Sequence, residues 1–350
     1  MITPFCVGTG APATGLCEGR AMSANSEVGR PDVVIVGAGV IGLTTAVVLA
    51  EAGLAVRVDA ERPPGATTSV AAGATWGPFL IGPEQRVDGW ARSSRPVFEE
   101  LAERTEETGV ALIWGSHQSM TPTEPPRWAV AAGARLCTGT ELRPGYVFGW
   151  RLRAPVIEMP RYLAWLEQRL ARAGGLMRNH RYGSLAEAAG EAPVVVNCSG
   201  IGAATLVPDP KVVPVRGQAV LVRHSGELRE FFGDDTPGAP ELIYAFPHGN
   251  TAVLGGTTQR GDESLEPSAA TTETIVRNCL RVLPELRGAE VLETRVGLRP
   301  TRDQVRLEAE ESPGGLLVHN YGHGGAGVTV SWGCAAEVLD LVKQAGPPGL

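Results

Sequence analysis

The chain has 350 residues, 43% hydrophobic and 20% charged, with a net charge of −7. That length suggests two domains with a core large enough to need no disulfide or metal. The negative charge and the lack of a basic tract argue against a nucleic-acid or anionic-membrane partner.

Residues 1–30 are rich in Gly, Ala, Thr and Ser, without a basic start followed by an apolar core. They read as a disordered extension, not a secretion signal. The uncharged stretch from Val33 to Ala50 has the minimum length of a membrane span. It divides, however, into a β-branched run, a glycine cluster and an alanine-rich segment. Val33 to Val36 reads as a buried parallel strand. A glycine turn follows, then a helix from Leu43 to Ala52 ending at Gly53, and a second strand from Leu54 to Val58.

Further along, Pro160 to Ala173 reads as an amphipathic helix, with Leu163, Leu166 and Leu170 on one face. Pro193 to Cys198 is another buried strand. Alternation around Gln218 to Val222 and Thr251 to Gly255 predicts an antiparallel sheet. Thr271 to Leu283 is a helix, Gly315 to Asn320 a strand entering a glycine-rich turn, and Val328 to Val342 a closing helix. The expected fold is α/β: a Rossmann-like parallel core interrupted by a mostly antiparallel α+β part. Residues 31–78, 148–216 and 296–343 are assigned to the first, and 79–147 and 217–295 to the second. The six cysteines are widely spaced and form no CxxC pair, which predicts free thiols, no metal site and a cytoplasmic setting.

Gly37, Gly39 and Gly42 stand between a strand and a helix. In that setting the first permits a tight turn, the second a close pyrophosphate, and the third close helix–strand packing. Val40 and Ile41 open the helix, whose N-terminus favours phosphate. Glu61, near the end of the second strand, is placed to accept ribose hydroxyls. Asp59 is its rival, expected on the opposite face. The motif alone does not separate FAD from NAD.

Three more segments narrow the reading. One runs from Ala60-Glu61-Arg62 to Thr67-Thr68-Ser69-Val70-Ala71-Ala72-Gly73. The second is Gly297-Leu298-Arg299-Pro300-Thr301-Arg302-Asp303-Gln304-Val305-Arg306-Leu307-Glu308. The third is His319-Asn320-Tyr321-Gly322-His323-Gly324-Gly325-Ala326-Gly327-Val328-Thr329. With the glycine motif, these blocks resemble the D-amino-acid oxidase and D-aspartate oxidase family from about Asp32 to Val342.

The resemblance implies FAD. It places Glu61 and Arg62 at the adenosine ribose, and Thr67, Thr68 and Ser69 near the pyrophosphate. Ala72 and Gly73 approach the flavin, and Val196 and Ser199 frame the cofactor. Gly324, Gly325, Gly327, Val328 and Thr329 wrap the ring, with Thr329 facing a ring carbonyl. Independently, the glycines of that last loop let backbone lie flat against a planar group.

The family chemistry is oxidative deamination of a D-amino acid by hydride transfer from Cα, with oxygen as the final acceptor and hydrogen peroxide released. It depends on orientation more than on an acid–base pair. A substrate carboxylate calls for a bidentate, permanently charged donor, so Arg299, Arg302 and Arg306 are the candidates. By family position Arg306 is the clamp, Tyr244 shares the carboxylate, and the Gly325 carbonyl receives the ammonium. A tyrosine found in some relatives is replaced by Pro240. His323 reads as a backbone support in preference to a base. Trp76, Phe79, Trp114 and Phe246 are candidate pocket walls.

The expected lid, Ser225 to Glu241, carries Glu227, Glu230, Asp234 and Asp235 against Arg229. That charge predicts a preference for neutral or basic D-amino acids over D-aspartate. D-aspartate oxidase, a glycine- or sarcosine-type oxidase and a non-catalytic flavin-binding protein are the competing readings. A monomer or homodimer is expected.

Overall fold

A computed structural model describes residues 30–239 and 241–346. The expected extension up to residue 29, Pro240, Cys6 and Cys17 lie outside the described residues. Among the described residues, no helix is long and apolar enough to cross a membrane.

One 14-stranded sheet organises the chain. In chain order its strands begin with β1 (Val33–Val36), β2 (Val56–Ala60), β3 (Val110–Ser119), β4 (Arg135–Leu136) and β5 (Phe148–Ile157). β6 (Leu176–Asn179), β7 (Val194–Asn197), β8 (Val213–Arg223), β9 (Phe231–Asp234) and β10 (Tyr244–His248) follow. The last are β11 (Thr251–Gly255), β12 (Gln259–Arg260), β13 (Glu290–Ser312) and β14 (Gly315–His323). Their spatial order is β4-β5-β3-β9-β10-β11-β8-β13-β14-β7-β1-β2-β6, with β12 beside β8.

The neighbours β14-β7-β1-β2-β6 are all parallel. β1 and β7 are buried throughout, as their Val/Ile runs require of strands covered on both faces. On one side pack the helices Val40–Glu51, Met159–Arg172 and Gly327–Ala345, sharing a core that includes Leu43, Val47, Leu166 and Val338. The helix Glu84–Leu101 joins it through Trp90, Phe98 and Leu101.

From β13 through β8, β11 and β10 to β9 every pairing is antiparallel. A second core lies here, with Val220, Phe232 and Leu254 under the helix Ala269–Val282. The expected α/β architecture is therefore present. The helix Glu84–Leu101 and the 23-residue strand β13 are additions to the sequence reading. Polar residues and Pro96 obscure the first. The second contains Pro300 and two breaks in register, which hide its continuity.

Candidate active site

β1 runs directly into Gly37, whose φ of +111° is a conformation that L side chains rarely adopt. A Cβ there would stand 2.5 Å from the carbonyl oxygen of Cys198. A Cβ on Gly42 would stand 1.9 Å from the Gly37 oxygen, so that glycine lets the helix sit on its own entry turn. Gly39 caps the helix with no side-chain hydrogen bond, and its first turn holds no acidic residue. The positive end of the helix is thus left for a ligand. One of its amides is already engaged: Val40 N donates to Ser69 Oγ at 2.9 Å.

Glu61 and Arg62 line the same cavity beyond β2. Asp59 does not. Its carboxylate is fully buried on the other face, bonded to Arg57, Arg178 and Tyr182. Burial alone would raise its pKa, but hydrogen bonds from Arg178, Arg57 and Tyr182 hold it below the usual range.

β14 delivers the second glycine loop. Gly324 has φ +53°, and a Cβ on it would lie 1.8 Å from the Leu80 oxygen. A Cβ on Gly325 would lie 2.5 Å from the Phe79 ring. The helix Gly327–Ala345 then starts with no side-chain cap and no acid in its first turn. Two uncapped helix N-termini therefore open on one cavity of about 780 Å³.

Gly37, Gly39, Val40, Ile41, Glu61, Arg62, Thr67, Thr68, Ser69, Ala72, Gly73, Ser199, Gly324, Gly325, Gly327, Val328 and Thr329 all line this cavity. Gly42 and Val196 do not: the first is a packing glycine, the second a wholly buried residue in the middle of the sheet. The Thr329 hydroxyl accepts from Gly77 N and donates to Gly77 O, tying the helix start to the Gly73–Pro83 loop. It is thus held by protein backbone instead of facing a ring carbonyl unpartnered. Asn320 Oδ1 and His323 Nε2 are buried on the cavity wall with no hydrogen-bond partner among the described residues. Burial pushes the His323 imidazole down to about 3, so it is neutral at ordinary pH. The ring is expected to support backbone, but its Nε2 makes no such bond among the described residues.

At the other end stands a row of polar side chains laid over glycines. Tyr244 on β10 lies across Gly255 on β11, where a Cβ would meet the ring at 1.9 Å. Its ring stacks on Phe246 at 4.7 Å, and its hydroxyl makes no hydrogen bond among the described residues. Arg299 on β13 lies across Gly217 on β8. Its Nη1 donates to the Thr257 carbonyl at 2.9 Å, and its guanidinium sits 5.7 Å from the Phe79 ring centroid. Burial lowers its pKa, and among the described residues it forms no ion pair.

Arg306 is not on this cavity, which corrects the expectation that it is the carboxylate clamp. It points outward from β13 to Glu308 at 2.6 Å and Glu310 at 3.2 Å, and its Nη1 reaches the Tyr321 hydroxyl at 3.1 Å. The irregular register between Thr301 and Arg306 changes which side chains face inward. Arg302 is held by Asp209. Arg299, the remaining candidate, is the one that lines the cavity.

Phe79 and Phe246 line the cavity; Trp76 and Trp114 do not, and Trp114 is exposed beneath Arg151. Of the lid residues, Asp234 and Asp235 are on the wall, whereas Glu230 pairs with Arg151, and Glu227 and Arg229 are exposed elsewhere. His117 and Trp128 also line the cavity and had no signal in the sequence reading. Among the described residues, no group of His, Cys, Asp or Glu could hold a metal, and Cys137, Cys198, Cys279 and Cys334 are free thiols.

Residues 32–341 match the family described as FAD dependent oxidoreductase, and the chain belongs to that family. It is 48% identical over 315 residues to a D-amino-acid oxidase of Rubrobacter xylanophilus, covering 89% of this chain and 96% of that protein. It is 47% identical to a D-amino-acid oxidase of Streptomyces coelicolor, covering 89% and 97%. A human D-aspartate oxidase is 36% identical, covering 89% and 94%. Among solved structures, a glycine oxidase from Geobacillus kaustophilus shares the fold with a TM-score of 0.77 and 24% identity, covering 90% and 95%.

FAD is the cofactor of this family, and the residues present suit it. Two uncapped helix ends leave amides free for anionic and polar groups of the cofactor, and glycines at 37, 39, 324 and 325 leave backbone bare where side chains would obstruct. The unpartnered Asn320 and His323 atoms supply polar contacts on the same wall.

Proposed function

We propose that this chain oxidises small D-amino acids at Cα, giving a 2-oxo acid and ammonia after hydrolysis of the imine. Molecular oxygen is the final acceptor and leaves as hydrogen peroxide. Bound FAD supplies the two-electron acceptor for the Cα hydride.

The observation that carries this reading is Arg299, a half-buried guanidinium on the wall of a cavity with no ion-pair partner among the described residues. A half-buried unpaired charge is unfavourable, and a substrate carboxylate would relieve it. Tyr244 stands beside it with an uncommitted hydroxyl able to donate to the same carboxylate. In this reading the Gly325 carbonyl takes the ammonium. These contacts would fix two substituents of the tetrahedral carbon, and the requirement that its hydride face the bound flavin would supply the third direction that selects one hand. Phe79 packs against both Gly325 and Arg299 and gives this end of the cavity an apolar wall. In this reading residues 31–78, 148–216 and 296–343 hold the cofactor, and the rest of the folded chain shapes the substrate end.

Neutral or basic side chains are favoured over acidic ones. Arg299 and Arg62 are the only arginines on the cavity wall among the described residues, and the carboxylate of Asp235 lines the same cavity. The rival reading as a D-aspartate oxidase draws on the human relative.

The test is anaerobic reduction of the purified yellow protein. Bleaching by D-alanine, D-valine or D-arginine but not by their L-isomers is expected. Bleaching by L-isomers alone, or by neither isomer, would overturn the assignment. Faster reduction by D-aspartate than by the others would establish the rival.

A further inference from the structure

We infer that Asp235, held in place by His117, is the residue that selects the substrate side chain, and that it recognises a D-amino acid whose long aliphatic stem ends in a cation. The inference rests on the D-amino-acid reading of the site.

Alternation along β9 and into the residue that follows it separates Asp234 from Asp235. Phe232 and Asp234 turn toward the second core, where the Tyr146 hydroxyl donates to Asp234 Oδ2 at 2.8 Å and the Thr236 amide to Oδ1 at 2.8 Å. Gly233 and Asp235 fall on the cavity side. Gly233 has no side chain, and the His117 ring of β3 fills the space: a Cβ there would meet His117 Nδ1 at 2.8 Å. The ring stacks on Trp150 at 4.3 Å and 10°, which fixes its plane. Its Nδ1 pairs with Asp235 Oδ1 at 3.1 Å. The other carboxylate oxygen has no hydrogen-bond partner among the described residues and is open to solvent, the side chain being 42% exposed.

The spacing identifies the ligand. Arg299 lies over β8, and Asp235 continues β9, with β11 and β10 between them. Three strand spacings are about 14 Å. A short substrate anchored at Arg299 ends far from Asp235, whereas an extended lysine- or arginine-length side chain spans the gap. Leu242 and Phe246 line the same cavity and offer apolar surface to such a stem. His117 is a positioning residue in this arrangement, and Asp235 makes the contact.

The test compares D-lysine with D-norleucine, which has the same stem without the charge. In the wild-type holoenzyme D-lysine is expected to have the higher kcat/KM. In Asp235→Asn the D-lysine to D-norleucine ratio should fall roughly fivefold, the upper range for a solvent-screened charge pair, with the loss in KM. An unchanged ratio would overturn the proposal, as would a wild type that prefers D-norleucine. Asp235→Lys is the second variant: its preference should move toward D-glutamate, and continued preference for D-lysine would count against the assignment. Flavin content and the visible spectrum of each variant verify folding. A wild type reduced by no D-amino acid at all would instead defeat the underlying oxidase reading, a separate result from loss of selectivity.

Discussion

The guanidinium of Arg299 occupies the space that a side chain on Gly217 would need: a Cβ on that glycine would lie 2.4 Å from Nη1 and 2.5 Å from Nη2. The two residues belong to neighbouring strands, β13 and β8, so the sheet itself aims the charge.

Gly217→Ala should therefore push Arg299 out of line without removing it. A displacement near 1 Å can lower kcat/KM about a hundredfold. Steady-state kinetics with D-alanine should show a large loss while FAD content stays normal. Wild-type kinetics in this variant would mean that Arg299 is free to move and is not held by the strand.

Arg299→Ala and Arg306→Ala make a matched pair on one strand. Each charge-assisted hydrogen bond contributes about 1.5–3 kcal/mol, so losing a bidentate clamp at Arg299 should lower kcat/KM by roughly a hundredfold or more. Arg306, paired outside with Glu308 and Glu310, should affect kinetics little and stability by about 1 kcal/mol or less. The reverse ranking would return the clamp to Arg306.

That pair also shows how far the sequence could be read. The glycine turn, β1, the helix Val40–Glu51 and β14 were legible because Val/Ile runs and glycine spacing are local signals. Tyr244 and Gly325 likewise reach the cavity. Choosing among three arginines within eight positions was not local. Which of them faces inward depends on the register of β13 against two neighbours, and the break between Thr301 and Arg306 resets the alternation. His117 escaped notice because its role depends on Gly233, more than a hundred residues away in the chain. Asp59 was correctly turned away from the site by strand alternation alone.

Stability should decline between pH 6.5 and 5. Burial pushes the His323 imidazole down to about 3 in the folded chain, while an unfolded histidine takes up a proton near 6.5. Below about 6.5 the unfolded state binds a proton that the folded state does not, so acid favours unfolding until the folded pKa is reached. At pH 5 the loss from one such residue is about 2 kcal/mol. His248, lowered to about 4 by burial and by Arg295, acts in the same direction. Melting curves of the wild type and His323→Asn at pH 7.5 and 5.0 check this. An equal pH slope in both would show that His323 is not the source.

Gly324→Ala should weaken FAD retention. The residue sits at φ +53°, and its new Cβ would fall 1.8 Å from the Leu80 oxygen, forcing the flavin loop and the Gly73–Pro83 loop apart. A stability loss of more than about 1 kcal/mol is expected. Flavin-to-protein ratio after gel filtration is the measurement, and a full complement of FAD would contradict the tight contact.

β13 pairs with β8 along one edge and with β14 along the other. On the proposed reading, the same ribbon thus carries the carboxylate anchor and borders the strand that leads into the glycine loop expected at the flavin. The separation between hydride donor and acceptor is accordingly built in at folding, like the gap between two marks on one ruler. Substrate variety must be absorbed elsewhere, by Phe79, Leu242 and Asp235 at the margins of the cavity. Evolution could retune which side chain enters there without disturbing the distance across which the chemistry occurs.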